Sequence, residues 1–516
     1  MKVLLLWPPM TVYFPDPKIP ASSPPLGLAY IAALLEQHGY EVKIVDALAE
    51  GLKTIEKTKK WFRVGLTEKE IKKIVKDYQP QVVGISGAFT AYIKDSLRCA
   101  QLVKRVDPKV IVVFGGAHSS SNFKEVFKNK NVDFIVKGEG EQVFLDLIKT
   151  IEAKKNPKQV RGLIFRQGKG VKVNPPGRIS QNLDQLPFPA RHLLKMGIYF
   201  KRAEEFGEFL MRQPQGGIIS SRGCPGNCVF CSIHSVWSYQ WRARSPKNVV
   251  DEIEHLINQY GVREIAFLDD NMTLDKKRTI QICNEIIKRK LDIKWCTPNG
   301  VALSALDKPM IKKMKEAGCY RLTFGIESGD PEMQKFIGKI VPFKRTKSLI
   351  DYANNIGLWT AGTFIIGFPF EDEASIRNTI KYARECGIDY AVFYVLAPYP
   401  GTRVHEICKK SGLLSDIKPE DWGYILSGGG YQTKIFTPKE LRRWQSKAQS
   451  QFLRSRFYSP TVVLKVLKKV RSTEDFLYTL KIAKTALRIM LLQRIKGGDV
   501  KSLMYKKYDK GVLSGT

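Results

Sequence analysis

Cys224, Cys228 and Cys231 stand in the run Ser221-Arg-Gly-Cys-Pro-Gly-Asn-Cys-Val-Phe-Cys, three thiols at C-x3-C-x2-C spacing. Three thiolates so placed can hold three irons of a cubane [4Fe–4S] cluster and leave the fourth without a protein ligand. Such an open iron can chelate a small molecule, and soft thiolates select iron–sulfur chemistry over hard cations. The same cysteines with His234 as fourth ligand would instead make a Cys3His structural zinc site. Spacing alone leaves both readings open.

The other six cysteines, Cys99, Cys283, Cys296, Cys319, Cys386 and Cys408, are scattered through apolar or helical contexts, the pattern of buried free thiols. Nothing resembles a disulfide framework, so a reducing cytosol is expected. The apolar run at the start, ended by Pro8 and Pro9, is too short for a signal peptide. No stretch of about 18 apolar residues suggests a membrane span. A net charge of +34 admits nucleic acid, an anionic membrane or an acidic substrate as partner. The charge is concentrated at the end of the chain, where Lys434–Thr516 carries 20 Lys/Arg against 5 Asp/Glu.

The elements that would position the cysteines read as α/β throughout. Val3–Trp7, Glu41–Asp46, Val82–Ser86, Val110–Phe114 and Asp133–Lys137 are strand-like and alternate with helical segments such as Leu26–His38, which predicts βαβ units and a parallel sheet. Such sheets bind ligands at the carboxyl ends of their strands. The candidate lining is therefore Pro8, Ser86, Gly87, Gly115, Gly116, His118 and Gly138. Proline-rich Arg161–Arg212 reads as a partly packed linker. Gly216–Ser221 then reads as a strand delivering the cysteine loop, followed by strand-like runs at Glu264–Asp269, Ile293–Cys296, Tyr320–Ile326, Thr363–Ile366 and Ala391–Leu396. Helical segments separate them. In repeated βα units ligands sit at the carboxyl ends of the strands, where Asp269-Asp270-Asn271, Glu327-Ser328 and Gly367 fall.

The middle of the chain resembles the radical S-adenosylmethionine (SAM) superfamily, on the strength of the cysteine run and of these residues at successive strand ends. The first third is similar to the cobalamin-binding domain found upstream of many such modules, through Pro24-Pro-Leu-Gly-Leu, Gly84-Ile-Ser-Gly, Gly115-Gly-Ala-His and Gly138-Glu-Gly-Glu. Together, over roughly residues 1–410, the chain resembles the cobalamin-binding radical SAM family that includes anaerobic magnesium-protoporphyrin monomethyl ester cyclase and the hopanoid methylases. The resemblance implies a Rossmann-like cobalamin-binding domain over 1–155, a linker over 156–210, a partial (β/α)6 TIM-like barrel over 211–410 and a basic helical extension over 411–516. It implies a [4Fe–4S] cluster on Cys224, Cys228 and Cys231, with SAM on the open iron. Phe230 would pack on the adenine, Asp269, Asp270 and Asn271 would accept the SAM amino group, and Glu327 and Ser328 would lie beside the ribose or sulfonium. Gly367 would let the backbone approach the adenine. Cobalamin would lie along Pro8, Ser86, Gly87, Gly115, Gly116, His118 and Gly138. The Asp-x-His-x-x-Gly motif that supplies a histidine to cobalt in related domains is missing after the first strand, so no histidine is expected on cobalt's lower face. Arg242 and Arg244 would either grip a carboxylate bidentately or form surface ion pairs.

The implied activity is a radical C-methyltransferase acting on a hydrophobic, isoprenoid-like substrate, fed electrons by a reductant such as flavodoxin or ferredoxin. A cyclase or oxidoreductase of the same architecture is the near rival, and a non-catalytic cobalamin or redox sensor the distant one. A tRNA methylthiotransferase would need a second cysteine triad, and the first 220 residues hold only Cys99. With no nucleic-acid-binding motif either, nucleic acid is not expected as partner. The tail from Phe452 to Ile495 carries an apolar stripe including Phe476, Leu477, Leu480, Ile482 and Leu487 among basic residues. It reads as a cap over the open side of the barrel and as a basic surface for anionic lipid. The expected location is cytoplasmic, peripheral on the inner face of the membrane.

Overall fold

Apolar runs of three to nine residues bounded by glycine, proline and charge become the strands of two parallel sheets in the computed structural model, which describes residues 1–13, 23–52, 54–202, 210–414, 431–457 and 459–495. The first sheet is ordered Glu41–Asp46, Lys2–Trp7, Val82–Ser86, Ile111–Gly115, Phe134–Val136, all parallel. Helices Leu26–Gln37 and Glu141–Glu152 pack on one face, and Glu68–Tyr78 and Ile93–Val106 on the other, so each face has its own apolar core. Strands buried on both sides explain the near-continuous Val/Leu/Ile composition.

Two features depart from expectation. The stretch read as a linker supplies a hairpin, Leu163–Gln167 and Gly170–Val173, that pairs antiparallel with Phe134–Val136 and extends the sheet to seven strands. Leu163, Ile164 and Phe165 are buried there, and Asn174 Nδ2 donates to the carbonyls of Lys158 and Val160. The prolines that suggested a linker sit outside the paired residues. Secondly, Met10–Tyr13, Trp61–Val64 and Thr54–Lys57 form a small antiparallel sheet. Buried Asp95 ties it to the main one, accepting from Thr11 N and Oγ1 at 2.8 Å and from Arg63 Nε at 2.9 Å.

The second sheet holds six parallel strands in sequence order: Gln215–Ile218, Glu264–Phe267, Lys294–Val301, Cys319–Glu327, Trp359–Ile366 and Tyr390–Val395. We call these barrel strands one to six. Helices Pro246–Tyr260, Lys276–Lys288, Lys308–Glu316, Phe343–Asn355 and Glu373–Glu385 lie between successive strands. A six-stranded partial barrel leaves an unpaired edge, and here helix Pro438–Phe457 covers it. Gln445 Nε2 donates to Phe393 O at 2.6 Å and Gln449 Nε2 to Ala391 O at 3.2 Å, so side-chain amides satisfy carbonyls of strand six. Leu441, Ala448 and Phe452 of the same helix enter the barrel's outer core.

Helix Thr473–Ile495 does something else. Its Tyr478 is buried at the amino ends of the strands, with ring centroids 5.4 Å from Tyr320 and 5.3 Å from Trp359. Just before it, Lys469 Nζ is buried against Asp389 Oδ2 (2.5 Å) and Asn354 Oδ1 (2.6 Å). The expected stripe is thus divided. Ile482 packs, whereas Phe476, Leu477, Leu480 and Leu487 are about half exposed, and the open side is capped by helix Pro438–Phe457 instead. No helix among the described residues is long and apolar enough to cross a membrane.

Candidate active site

The cysteine loop leaves strand one through a short neck. Ser221–Arg222 pairs antiparallel with Arg242–Ala243, Ser221 opposite Ala243 and Arg222 opposite Arg242. Everything between, including all three cysteines, hangs from this ribbon. Asp269 fixes the neck to strand two. Its carboxylate accepts from Ser220 N (3.0 Å), Ser220 Oγ (2.7 Å) and Ser221 Oγ (2.5 Å). The loop's far side is pinned at Val229, whose N–H donates to Ile337 O and whose carbonyl accepts from Val404 N, both at 2.9 Å.

Within the loop, a methyl on Gly226 would stand 3.4 Å from Cys224 Sγ and 3.9 Å from Cys228 Sγ. A glycine thus leaves room between two thiols that a side chain would enter. The three thiols are half-buried. Burial raises Cys228 and pushes Cys231 up to about 11, with each thiol also feeling its neighbours. Iron must therefore displace protons as it binds. This donor set, three soft thiols on one loop with a glycine between two of them, fits an iron–sulfur cluster. Among the described residues no group of three His, Cys, Asp or Glu is gathered tightly enough for a single metal ion. His234, the fourth ligand in the zinc reading, instead lies 3.1 Å by Nε2 from Cys224 O and stacks on Tyr239 at 3.7 Å.

Around the thiols the strand-end residues divide into those that face the loop and those that brace it. Burial, helped by Asp269, pushes Asp270 up to about 6; it accepts from Gly223 N and lies within electrostatic reach of Cys231. Asn271 Oδ1 is buried with no hydrogen-bond partner, while its backbone carbonyl accepts from Trp241 Nε1. An orphaned acceptor and a carboxyl beside the thiols suit an ammonium ligand. Asp269, by contrast, is engaged within the protein as described. Glu327 ends strand four at φ +67°, a conformation that strains a side-chain-bearing residue. Its Oε1 accepts from Lys339 Nζ at 2.9 Å. Burial lowers the Lys339 pKa, but Glu327 and the thiols Cys228 and Cys224 outweigh it and hold the ammonium charged. Ser328 is fully buried under this pair, its hydroxyl meeting Thr379 Oγ1 at 3.1 Å and accepting from Asp330 N.

Gly367, at φ +89°, ends strand five. Its N–H and that of Phe368 donate to Glu371 Oε2 at 2.5 and 3.1 Å. A methyl there would meet Leu441 at 3.1 Å, so its bareness also serves the capping helix. Phe230 comes to the same corner, its ring 6.5 Å from that of Phe368. Phe230, Asp270, Asn271, Glu327 and Gly367 thus gather around the cysteine loop, with Asp269 and Ser328 behind. Lys339 had no spacing signal: it lies in Gly338-Lys-Ile, twelve residues beyond Glu327, and only the fold returns it.

Across from the barrel, Pro8 and Ser86 line a crevice at the carboxyl edge of the first sheet together with Trp7, Phe89 and Tyr92. At Gly115 a methyl would meet only Val136, at 4.0 Å, which leaves space beside the sheet for a ligand. Gly87 and Gly116 are glycine for another reason. Added methyls would collide with Ser119 and with the Ala88 backbone. His118 is buried with Nδ1 2.9 Å from Thr90 Oγ1, and burial lowers it to about 4, so it is neutral. Gly138 (φ +81°) faces the barrel, where a methyl would lie 3.4 Å from Val236 O. Arg242 and Arg244 form no surface pairs. Arg242 is buried on Glu139, and Arg244 on Glu252, which also accepts from Arg191 at 2.6 Å.

Comparison with known proteins identifies the two sheets. Residues 218–398 match the radical SAM superfamily and residues 18–148 the B12 binding domain. The chain is 35% identical over 467 residues to an uncharacterized methyltransferase of Pyrococcus horikoshii, covering 90% of this chain and 94% of that one. It is 32% identical over 457 residues to cytidylyl-2-hydroxyethylphosphonate methyltransferase of Streptomyces wedmorensis, covering 83% and 84%. Among solved structures, the radical SAM methyltransferase TsrM of Kitasatospora setae, with cobalamin and a [4Fe–4S] cluster bound, shares the fold at a TM-score of 0.66 and 16% identity, over 94% of this chain and 99% of that one.

Proposed function

This chain belongs to the cobalamin-dependent radical SAM methyltransferase family, and on that premise we propose that it methylates an unactivated carbon in an apolar portion of a small molecule. Bound together, the cluster, SAM and cobalamin supply a carbon-centred radical that removes hydrogen and a methyl group that replaces it. The chain's own residues position and shield these groups. Cys224, Cys228 and Cys231 hold the cluster. Asp270 and Asn271 offer acceptors to the SAM amino group, Lys339 a cation to its carboxylate, and Phe230 and Gly367 a slot for its adenine. Glu327, already strained and paired, lies at the ribose or sulfonium side. Pro8, Ser86 and Gly115 flank the place for cobalamin, and neutral His118 is an internal brace of that edge.

The observation that carries the apolar substrate is a run of exposed aromatics between the two strand-end rims. Tyr394 is on strand six within electrostatic reach of Glu327. Tyr399 follows it and is close enough to influence Tyr92. Tyr92 and Trp7 meet Phe89 edge-on at 6.2 and 5.9 Å. Phe89, Tyr394 and Tyr399 are 54, 45 and 37% exposed, and aromatic faces grouped at strand ends suit an apolar ligand. The test is anaerobic turnover of cobalamin-loaded, cluster-reconstituted protein with flavodoxin or ferredoxin as donor, methyl-deuterated SAM and an apolar metabolite extract. 5′-Deoxyadenosine and S-adenosylhomocysteine in parallel, with deuterium in an apolar product, are expected. 5′-Deoxyadenosine alone would replace methyl transfer by a cyclase-type reaction.

The tail supports a second part of the proposal, docking on an anionic bilayer. Val463, Leu464 and Leu467 of helix Pro460–Leu467, and Phe476, Leu477, Leu480 and Leu487 of the last described helix, are exposed beside Lys465, Lys468, Lys481 and Lys484. Apolar side chains ringed by lysine suit lipid headgroups better than an acidic protein. This face is at the amino ends of the strands, away from the cysteines, which removes it as an electron-donor site. A docked enzyme therefore opens its cleft to the aqueous side.

A further inference from the structure

Gly138-Glu-Gly-Glu, at the carboxyl edge of the first sheet, is placed by its sequence where a ligand would lie. Its two carboxylates do something different. Glu141 Oε1 accepts from Arg222 Nη2 at 2.6 Å, and Glu139 accepts from both Arg222 Nη1 (3.2 Å) and Arg242 Nη2. All four side chains are less than one-tenth exposed, and the set is neutral, two cations against two anions. The arginines are partners across the ribbon from which the cysteine loop hangs, and Arg222 is two residues before Cys224. The Arg222 guanidinium is also held between rings, 5.0 Å from Tyr30 on the first sheet's helix and 4.7 Å from Trp237 inside the cysteine loop. Arg242 Nη1 completes the joint on Ser180 O at 2.6 Å.

Burying four charges is expensive, and an apolar joint of the same volume would be at least as stable; what a buried ionic joint adds is one allowed register. Each guanidinium fork fits its carboxylates in few orientations. Corrin chemistry and cluster chemistry on one substrate carbon both depend on distance, and misplacement by about 1 Å can cost about a hundredfold in rate.

We infer that Glu139, Glu141, Arg222 and Arg242 are positioning residues that set where the cysteine loop stands relative to the cobalamin-binding sheet. Glu139 is the keystone because it alone bridges both strands of the ribbon. Glu141 serves one arginine and is secondary. All four are buried and paired with one another, which makes their role positioning rather than catalytic. The inference rests on the proposed function for its purpose, but the joint itself is testable without any cofactor.

Two measurements test it. The first uses ligand-free protein and hydrogen–deuterium exchange. Glu139→Gln keeps the shape and removes the charge. It should speed exchange in the ribbon and cysteine loop (residues 221–243) about tenfold or more, Glu141→Gln should do so less, and helix Lys308–Glu316, remote from the joint, should not change. Equal exchange in Glu139→Gln and parent would overturn the inference. The second uses protein loaded with cobalamin and cluster, both reduced to their paramagnetic states. The parent should give a defined electron–electron dipolar splitting, and Glu139→Gln a broadened or shifted one at unchanged iron and corrin content. An unchanged splitting would overturn the inference. Should Glu139→Gln fold poorly, Arg242→Lys, which keeps the charge but loses the fork, should show the same broadening in milder form. A parent that binds no corrin while showing the exchange pattern would overturn the proposed function and leave the joint standing.

Discussion

The two ends of the barrel are built from the same six strands and both bury charge, yet they are finished in opposite ways. At the amino ends the charged groups are paired with one another, although Trp359 Nε1 and Gln213 Nε2 are buried without a partner. Glu264 accepts from Tyr320 Oη, Gln215 Nε2 and the backbone N–H groups of Met211 and Arg212. Arg321 lies 3.3 Å from Cys296 Sγ, and Lys469 is locked on Asp389 and Asn354. Tyr478 closes what remains. At the carboxyl ends three half-buried thiols share one loop, Asn271 Oδ1 has no partner, and Glu327 is held in a strained conformation. Buried charge alone therefore does not mark a site. Incomplete satisfaction joined to strain and reactive donors does.

The sharpest way to break this contrast is at the thiols. Cys228→Ala should abolish cluster assembly and bring 5′-deoxyadenosine to background, a loss of about a thousandfold or more, with Tm almost unmoved; iron and sulfide content and product yield check it. At the opposite end Tyr478→Ala should do the reverse. It should destabilise the fold by about 3–5 kcal/mol, read by denaturant unfolding, while the protein that remains folded binds iron normally. Lys339→Met should be intermediate, slowing SAM cleavage by about 10- to 100-fold and lowering Tm moderately because the buried Glu327 loses its cation.

Smaller effects sharpen the boundary. Burial pushes Glu371 up to about 8 from its ordinary 4.5, so the folded protein keeps a proton that the unfolded chain releases. Its contribution is fully present below about 4.5 and is lost as pH rises toward 8. Glu371→Gln should flatten that decline, raising Tm by a few degrees at pH 8.5 relative to the parent and hardly at all at pH 4.5. Smallest for catalysis, Leu464→Asp with Leu480→Asp should weaken sedimentation with phosphatidylserine vesicles several-fold at unchanged turnover of a soluble substrate. Equal binding would remove the membrane from the proposal.

Much of this was legible in the chain because local patterns carry it. The strands announced themselves through β-branched runs, and the cysteine spacing offered three donors while leaving open whether His234 was a fourth. What escaped depends on groups that are remote in sequence. Lys339 reaches Glu327 only after a helix and a turn, and the glutamines that cover strand six lie more than fifty residues beyond it. Prolines at 175, 176, 187 and 189 suggested a linker, although the paired residues nearby were β-formers. Glu139 and Glu141 were visible as a motif, but nothing local could say that arginines eighty to a hundred residues away would claim them.

Val229, in the middle of the cysteine loop, takes its backbone partners from Ile337 and Val404. During synthesis those partners leave the ribosome more than a hundred and about one hundred and seventy-five residues after it. The loop that must receive iron is therefore shaped last, although its cysteines appear midway. A chain truncated before residue 404 would carry every cysteine of the triad yet lack one of the two backbone partners that pin their loop at Val229.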